Sequence, residues 1–357
     1  MPPKSVPTHR WDSRLRPPPP ASPPVRRAHA TTEPTRGQLR SRSWRRSSQG
    51  LYVPAVAEWT PGQRVVEASA LLPLSGGGAV SGWAAAYWLG VRLLDGLDAR
   101  LRREPVLLNL GPQGQLRPRP DIRLSRERFD DRERHIVRGV PCANPVRAAF
   151  DGARVAASLT AAVVIIDMIV TSGLLTLDEL TAYVDQRAGW KGVQQARRAV
   201  RLAVTGSRSP PETRLRLAWV LDARLPPLLV NAAVFDLTGR LLGYPDALDP
   251  SSGVVLEYDG DDHRDISNHT RDNIREELFE AHGLTVMRAT RLDLGGSRVE
   301  LVRRMRQAHT RALNRDRRQD GWAIRAPRTP SRTTGDTGLG GGGGGGSGEQ
   351  KREKKQK

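Results

Sequence analysis

The stretch 253-GVVLEYDGDDHRDISNH-269 begins as a strand and ends as a cluster of charges. Val254, Val255 and Leu256 form a continuous apolar run, the pattern of a strand buried on both faces. Glu257, Asp259, Asp261, Asp262 and Asp265 follow at once, with His263 and His269 close behind. Carboxylates gathered at the mouth of a buried strand repel one another, so the placement asks for a cation or a proton between them.

Outward from that strand the pattern is regular. Residues 212–223 (ETRLRLAWVLDA) make an amphipathic helix with Leu215, Ala218, Trp219, Val220 and Leu221 inward. Residues 228–236 and 241–248 read as strands joined by a hairpin turn at Thr238-Gly239. Asp249-Pro250-Ser251-Ser252 is a tight turn into the strand 254–259. A helix over 269–282 closed by Gly283, a strand over 284–290 and a helix over 297–314 complete the unit. The order is αβββαβα, an α/β (α+β) fold spanning 206–315. In it Asp246 and Glu257 stand on adjacent strands, where side chains come within roughly 5 Å. Oxygen-only ligands at that separation suit Mg²⁺ or Mn²⁺, which can acidify a water and offset charge on a phosphate under attack. His263 and His269 are placed to take a proton or to touch that phosphate.

The chain of 357 residues has a formal net charge of +19. Residues 1–50 hold 11 Lys/Arg against 2 Asp/Glu, and 301–357 hold 15 against 5, so the ends carry the whole excess and the middle balances. Arginine-rich ends suit a phosphate backbone; solvated tails would show the same composition. The single cysteine, Cys142, excludes an internal disulfide and fits a reducing, cytoplasmic setting. Residues 155–170 are apolar, but Asp167 interrupts a stretch shorter than the roughly 20 residues a span needs, so a buried helix is expected and no membrane partner.

Residues 1–34 are Arg/Pro-rich and expected to be disordered, as is the basic tail 316–357 with seven consecutive glycines at 340–346. From Thr35, a short helix followed by a basic hairpin turning at Ser48-Gln49-Gly50 outlines either a winged-helix-like start or a hairpin packed on the next domain. The first of these would offer Arg36, Arg40, Arg42, Arg45 and Arg46 to phosphates. Residues 58–105 read as helical, with Trp83 and Trp88 as core. Residues 106–150 read as strands ending at a helix start, Asn144-Pro145, and 146–204 as helices broken near Gly173 and Gly189. A boundary follows at 205-TGSRSPP-211.

These pieces together resemble a known family. Asp246 in YPDALD, Glu257 and His263 in EYDGDDH, the RD pair Arg271-Asp272 and the segment GLTVMRAT look like the very-short-patch-repair-like branch of the PD-(D/E)xK nuclease superfamily. SPPETRLR at 209–216 is similar to its opening helix, NAAVFDLTGRLLG to its first hairpin, and the resemblance covers about 206–295. Residues 35–204 resemble more loosely an AbiEi-type antitoxin region, through TRGQL, QGLYV, VSGWAAAYWLG and VPCANPVRAAFD. The resemblance implies a restriction-endonuclease-like fold with Asp246 and Glu257 as metal ligands, the Tyr258 carbonyl assisting, and Glu212 as a further acid. It puts Asp259 where many members carry a lysine, which leaves His263 as candidate for the proton-handling role. His269 and Arg271, at the head of the next helix, become nucleic-acid contacts.

Two functions follow as expectations. One is a Mg²⁺-dependent DNA endonuclease; the other is a non-catalytic DNA-binding regulator or type IV antitoxin-like protein with a cognate toxin, either of them able to act as a homodimer. RNA is a third substrate class, since no aromatic base-stacking motif separates it from DNA.

Overall fold

A computed structural model describes residues 15–26, 34–73, 77–260 and 266–324, with backbone alone over 266–273. The chain is a mixed α/β protein with several sheets, as the alternation of strand and helix signals requires.

A short strand β1 (Val25–Arg26) joins the hairpin of β2 (Trp44–Ser48) and β3 (Leu51–Pro54), whose turn uses Gly50 at φ 74°. The helix expected from Thr35 is only a 3₁₀ turn over Gln38–Arg40. Thr35 and Gln38 close it reciprocally, Gln38 Oε1 accepting from the Thr35 amide and Thr35 Oγ1 from the Gln38 amide, and Ser41 is already extended. That turn is too short to lie in a major groove, so the winged-helix outline does not extend to a recognition helix.

Helix α1 (Pro61–Ser69), strand β4 (Ala79–Ser81) and helix α2 (Gly82–Trp88) lead to β5 (Val106–Asn109), β6 (Ile122–Ser125), β7 (Arg134–Val137) and β8 (Val140–Ala143). These strands form one sheet in the order β6-β5-β4-β8-β7. The helical expectation for 58–105 holds only for α1 and α2; between Gly90 and Pro105 the chain is irregular. Trp83 and Trp88 are core, their indole N–H groups given to the carbonyls of Pro105 and Val137.

Helix α3 (Pro145–Val155) packs on that sheet at β4, and α4 (Leu159–Thr171), α5 (Leu177–Asp185) and α6 (Val193–Leu202) pack around α3. Asn144 caps α3 by accepting from the Arg147 amide at 2.9 Å, which explains the Asn-Pro start. Cys142 is buried beneath, its thiol pushed up to about 12 by burial.

The second half begins with α7 (Pro210–Leu217), which runs on through a π turn, Ala218–Asp222. Then come β9 (Leu229–Val230), β10 (Val234–Asp236), β11 (Leu241–Gly243), β12 (Ala247–Asp249), β13 (Val254–Asp259), α8 (Ile266–Ala281), β14 (Thr285–Thr290), α9 (Arg291–Gly295), α10 (Val299–Leu313) and β15 (Trp322–Ala323). The main sheet has the order β14-β13-β12-β9, with β13 parallel to β14 across α8 and antiparallel to β12.

Two expected strands are each broken between sheets. Residues 228–236 divide at Asn231, whose φ of 48° turns the chain from β9 toward β10. Residues 241–248 divide at Tyr244-Pro245, where proline has no N–H to give a ladder, so β11 pairs with β10 and β12 with β13. The fold also continues past 316: β15 pairs with β10 and Trp322 is 9% exposed, so this part of the expected tail belongs to the core. Residues 1–14 and 325–357, the glycine run included, lie outside the described residues.

The central strand β13 is buried on both faces. Val254 and Leu256 pack with Leu215, Trp219 and Met305, while Val255 packs with Leu248, Phe279 and Trp322. Its turn from β12 is fastened by Asp249, fully buried, which accepts from the Ser251 amide at 2.9 Å and the Ser251 hydroxyl at 2.6 Å.

The two halves meet on α4. Asp167 is fully buried and accepts from the Val204 amide at 2.8 Å, the Thr213 hydroxyl at 2.9 Å and Arg216 Nη2 at 2.9 Å. Arg216 and Thr213 belong to α7, so the acid that interrupts the apolar stretch 155–170 is the anchor of the second half. No helix among the described residues is long and apolar enough to cross a membrane.

Candidate active site

Asp246 stands beside Glu257 at the end of the main sheet, and Glu212 comes close to Asp246. The β12–β13 register pairs Ala247 with Leu256, and one step further sets Asp246 opposite Glu257. Glu212 comes from the first turn of α7, whose N-cap Ser209 accepts from the Glu212 amide at 3.4 Å and donates its hydroxyl to Glu212 Oε1 at 3.0 Å. Pro210 and Pro211 start the helix there, so its entry is fixed by sequence.

Each acid has a defined setting. Asp246, 9% exposed, accepts from Arg208 Nη2 at 2.8 Å on one oxygen and from the Tyr258 amide at 2.8 Å on the other. Glu257 accepts from Arg275 Nη2 on α8 at 2.8 Å. Glu212 accepts from the Arg208 amide at 2.8 Å and the Asn231 side-chain amide at 3.3 Å. Burial, with the Asp246 carboxylate adding to it, pushes the Glu212 carboxyl up to about 7.

Asn231 ties the acids together. Its backbone N–H reaches the Asp246 carbonyl at 3.2 Å, while its amide nitrogen spans Glu212 and the Gly206 carbonyl, the latter at 2.8 Å. The side chain is buried, and its amide oxygen has no hydrogen-bond partner.

Other expected site residues are placed differently. Tyr258 meets Asp246 through its backbone N–H at 2.8 Å. Asp259 is exposed at the end of β13 and shares the Glu257 face by strand alternation. His263 lies outside the described residues, and His269 and Arg271 lie on α8 with side chains outside them. Among the described residues no group of three or more His, Cys, Asp or Glu could together hold a metal ion, so Glu212, Asp246 and Glu257 do not make a three-acid site. Asp246 and Glu257 are hard oxygen donors, the kind of which Mg²⁺ or Mn²⁺ takes one or two while keeping several waters.

Before and within the N-terminal hairpin, Arg36, Arg40, Arg42 and Arg46 are exposed. Arg45 is a correction: both its terminal nitrogens grip Glu67 of α1, and its guanidinium lies 4.0 Å from the Trp59 ring centroid. A fork matched to a carboxylate is held more firmly than an exposed one, which turns Arg45 inward.

Arg208, Arg275 and Asn231 were not signalled as site residues by the motifs. The sequence carries one hint: 206–324 contains no lysine, so every permanent cation near these acids has to be arginine.

No family model, curated protein or solved structure matches this chain.

Proposed function

We propose that residues 206–324 form a restriction-endonuclease-like, divalent-metal-dependent phosphodiesterase acting on DNA within the cell. The observation that carries the reading is the placing of Asp246, just before β12, beside Glu257 on β13 at one end of a buried sheet, with Glu212 of the α7 start close to Asp246. Asp246 and Glu257 would hold Mg²⁺ or Mn²⁺, which supplies acidification of a water and charge neutralisation at the phosphate. Asp246 is oriented for this by the Tyr258 amide, and Glu212, with its carboxyl near neutrality, can accept or return a proton at the edge of the site. Arg36, Arg40, Arg42 and Arg46 would supply sequence-independent phosphate contacts.

The test is conversion of supercoiled plasmid to nicked circles by purified full-length protein with Mg²⁺ or Mn²⁺. Wild type is expected to nick, and Asp246→Ala and Glu257→Ala each to abolish it. Equal nicking by all three proteins would assign the activity to a contaminant.

One observation favours a second reading, a non-catalytic DNA-binding or antitoxin-like protein on the same scaffold. Both carboxylates already carry arginine, and no lysine stands beside them. Gel-shift binding without metal-dependent cleavage, unchanged by Asp246→Ala, would select it.

A further inference from the structure

The acid pair comes with two cations of its own. Arg208, on the segment entering α7, lies 2.8 Å from Asp246 Oδ1, and Arg275, on α8, lies 2.8 Å from Glu257 Oε2. The carboxylates are 11% and 12% exposed, whereas the arginines are 27% and 36% exposed. Glu257 is fixed by its strand and Asp246 by the Tyr258 and Asn231 amides, and the more exposed guanidinium groups reach them on long stems.

We infer that Arg208 and Arg275 are exchangeable counter-ions: they hold the two carboxylates in the free protein and transfer to the phosphates of a nucleic-acid strand when a divalent cation takes the acids. This deepens the nuclease reading and rests on it. A divalent cation on Asp246 and Glu257 would repel both guanidinium groups and compete for the same oxygens. Arginine released in this way carries a planar fork that matches phosphate as well as it matches carboxylate. The exchange keeps every charge partnered: two carboxylates pass from arginine to metal, and two arginines from carboxylate to phosphate. Asn231 fits the same picture, since its buried amide oxygen lacks a partner in the arginine-held arrangement and lies in the residue that spans Glu212 and the Asp246 backbone.

The consequence is reciprocal coupling. Metal binds weakly without nucleic acid, nucleic acid binds weakly without metal, and each strengthens the other by the same factor. Such a protein would be guarded against idle metal binding by its own side chains.

The experiment measures Mn²⁺ binding to the full chain by the loss of the free-ion electron paramagnetic resonance signal. It is done with and without a short phosphorothioate DNA duplex, which resists cleavage. For wild type the duplex should tighten Mn²⁺ binding by roughly tenfold or more. The double variant Arg208→Gln/Arg275→Gln should bind Mn²⁺ more tightly than wild type in the absence of duplex and gain little when duplex is added. The Arg208→Lys/Arg275→Lys variant, which keeps the charges, should restore part of the coupling. If the double variant unfolds, the single Arg275→Gln variant gives the same comparison at half the effect. Mn²⁺ binding lost in Asp246→Asn but equal in wild type and the glutamine variants, with equal duplex response, would overturn the exchange and leave the metal site standing. No Mn²⁺ binding by any protein, with or without duplex, would overturn the nuclease reading and this inference with it.

Discussion

Glu212 is held by the Ser209 hydroxyl, the Arg208 amide and the Asn231 amide, yet its carboxyl still sits near neutrality because burial and Asp246 outweigh those donors. Below its ordinary value of 4.5 both folded and unfolded chains carry the proton, and Glu212 adds no penalty. Between there and about 7 the unfolded chain releases its proton first, so stability falls as pH rises; above about 7 the cost is fully present. Glu212→Gln removes the titration. Without divalent metal, the variant should gain on wild type between pH 4 and pH 8 by on the order of 3 kcal/mol, read from urea unfolding at both values. Parallel stabilities of the two proteins would show that Glu212 is not the buried acid described. The same residue-scale balance separates Asp246 and Glu257 from a bare acidic cluster. Their repulsion is offset by Arg208 and Arg275, lying far from them in sequence, and pairing at that range depends on how α7 and α8 dock.

The elements differ in how much of them is written locally. Strand β13 was legible to its last residue, because three apolar residues buried on both faces leave little choice of structure. The turn before it was legible as well, since an aspartate followed by a proline, two serines and a glycine supplies its own hydrogen bonds. The breaks within 228–236 and 241–248 were hidden, because each is a switch between sheets decided by tertiary pairing. Proline at 245 was a signal for the second break; at the first, an asparagine carries the left-handed turn. That makes a prediction. Asn231→Gly and Asn231→Ala lose the same amide contacts, but alanine adds backbone strain, so Asn231→Ala should be the less stable by about 1–2 kcal/mol in urea unfolding. Equal stabilities would mean that the backbone at 231 relaxes without cost. Strand β15 was missed for a related reason: Trp322 lies among arginines and aspartates, and only its distant partner β10 makes the segment a strand.

Across the whole molecule the boundary read at 205–211 is a change of fold unit but not a loose joint. Asp167 grips α7 through Thr213 and Arg216, so the helix that presents Glu212 is fixed to the N-terminal half. Replacing Asp167 by alanine strands Arg216 in the interior and should cost about 3–5 kcal/mol, measured by denaturant unfolding. A loss below about 1 kcal/mol, in the range of exposed pairs, would show that the halves are held together elsewhere. Charge at this scale was legible only as a sum. The excess sits at the ends, and within the hairpin Arg45 is spent on Glu67 while its neighbours remain exposed. The central claim is that Asp246 and Glu257 act as a metal-holding pair for phosphodiester hydrolysis. Its most direct test is a Mg²⁺ titration of plasmid nicking by wild type, Asp246→Asn and Glu257→Gln, each shown to be folded by its melting curve. Wild type should nick only with metal, and each variant should be slower by at least about a hundredfold, the loss of several kcal/mol of transition-state stabilisation. Folded variants that nick as fast as wild type, or nicking that ignores Mg²⁺, would contradict it.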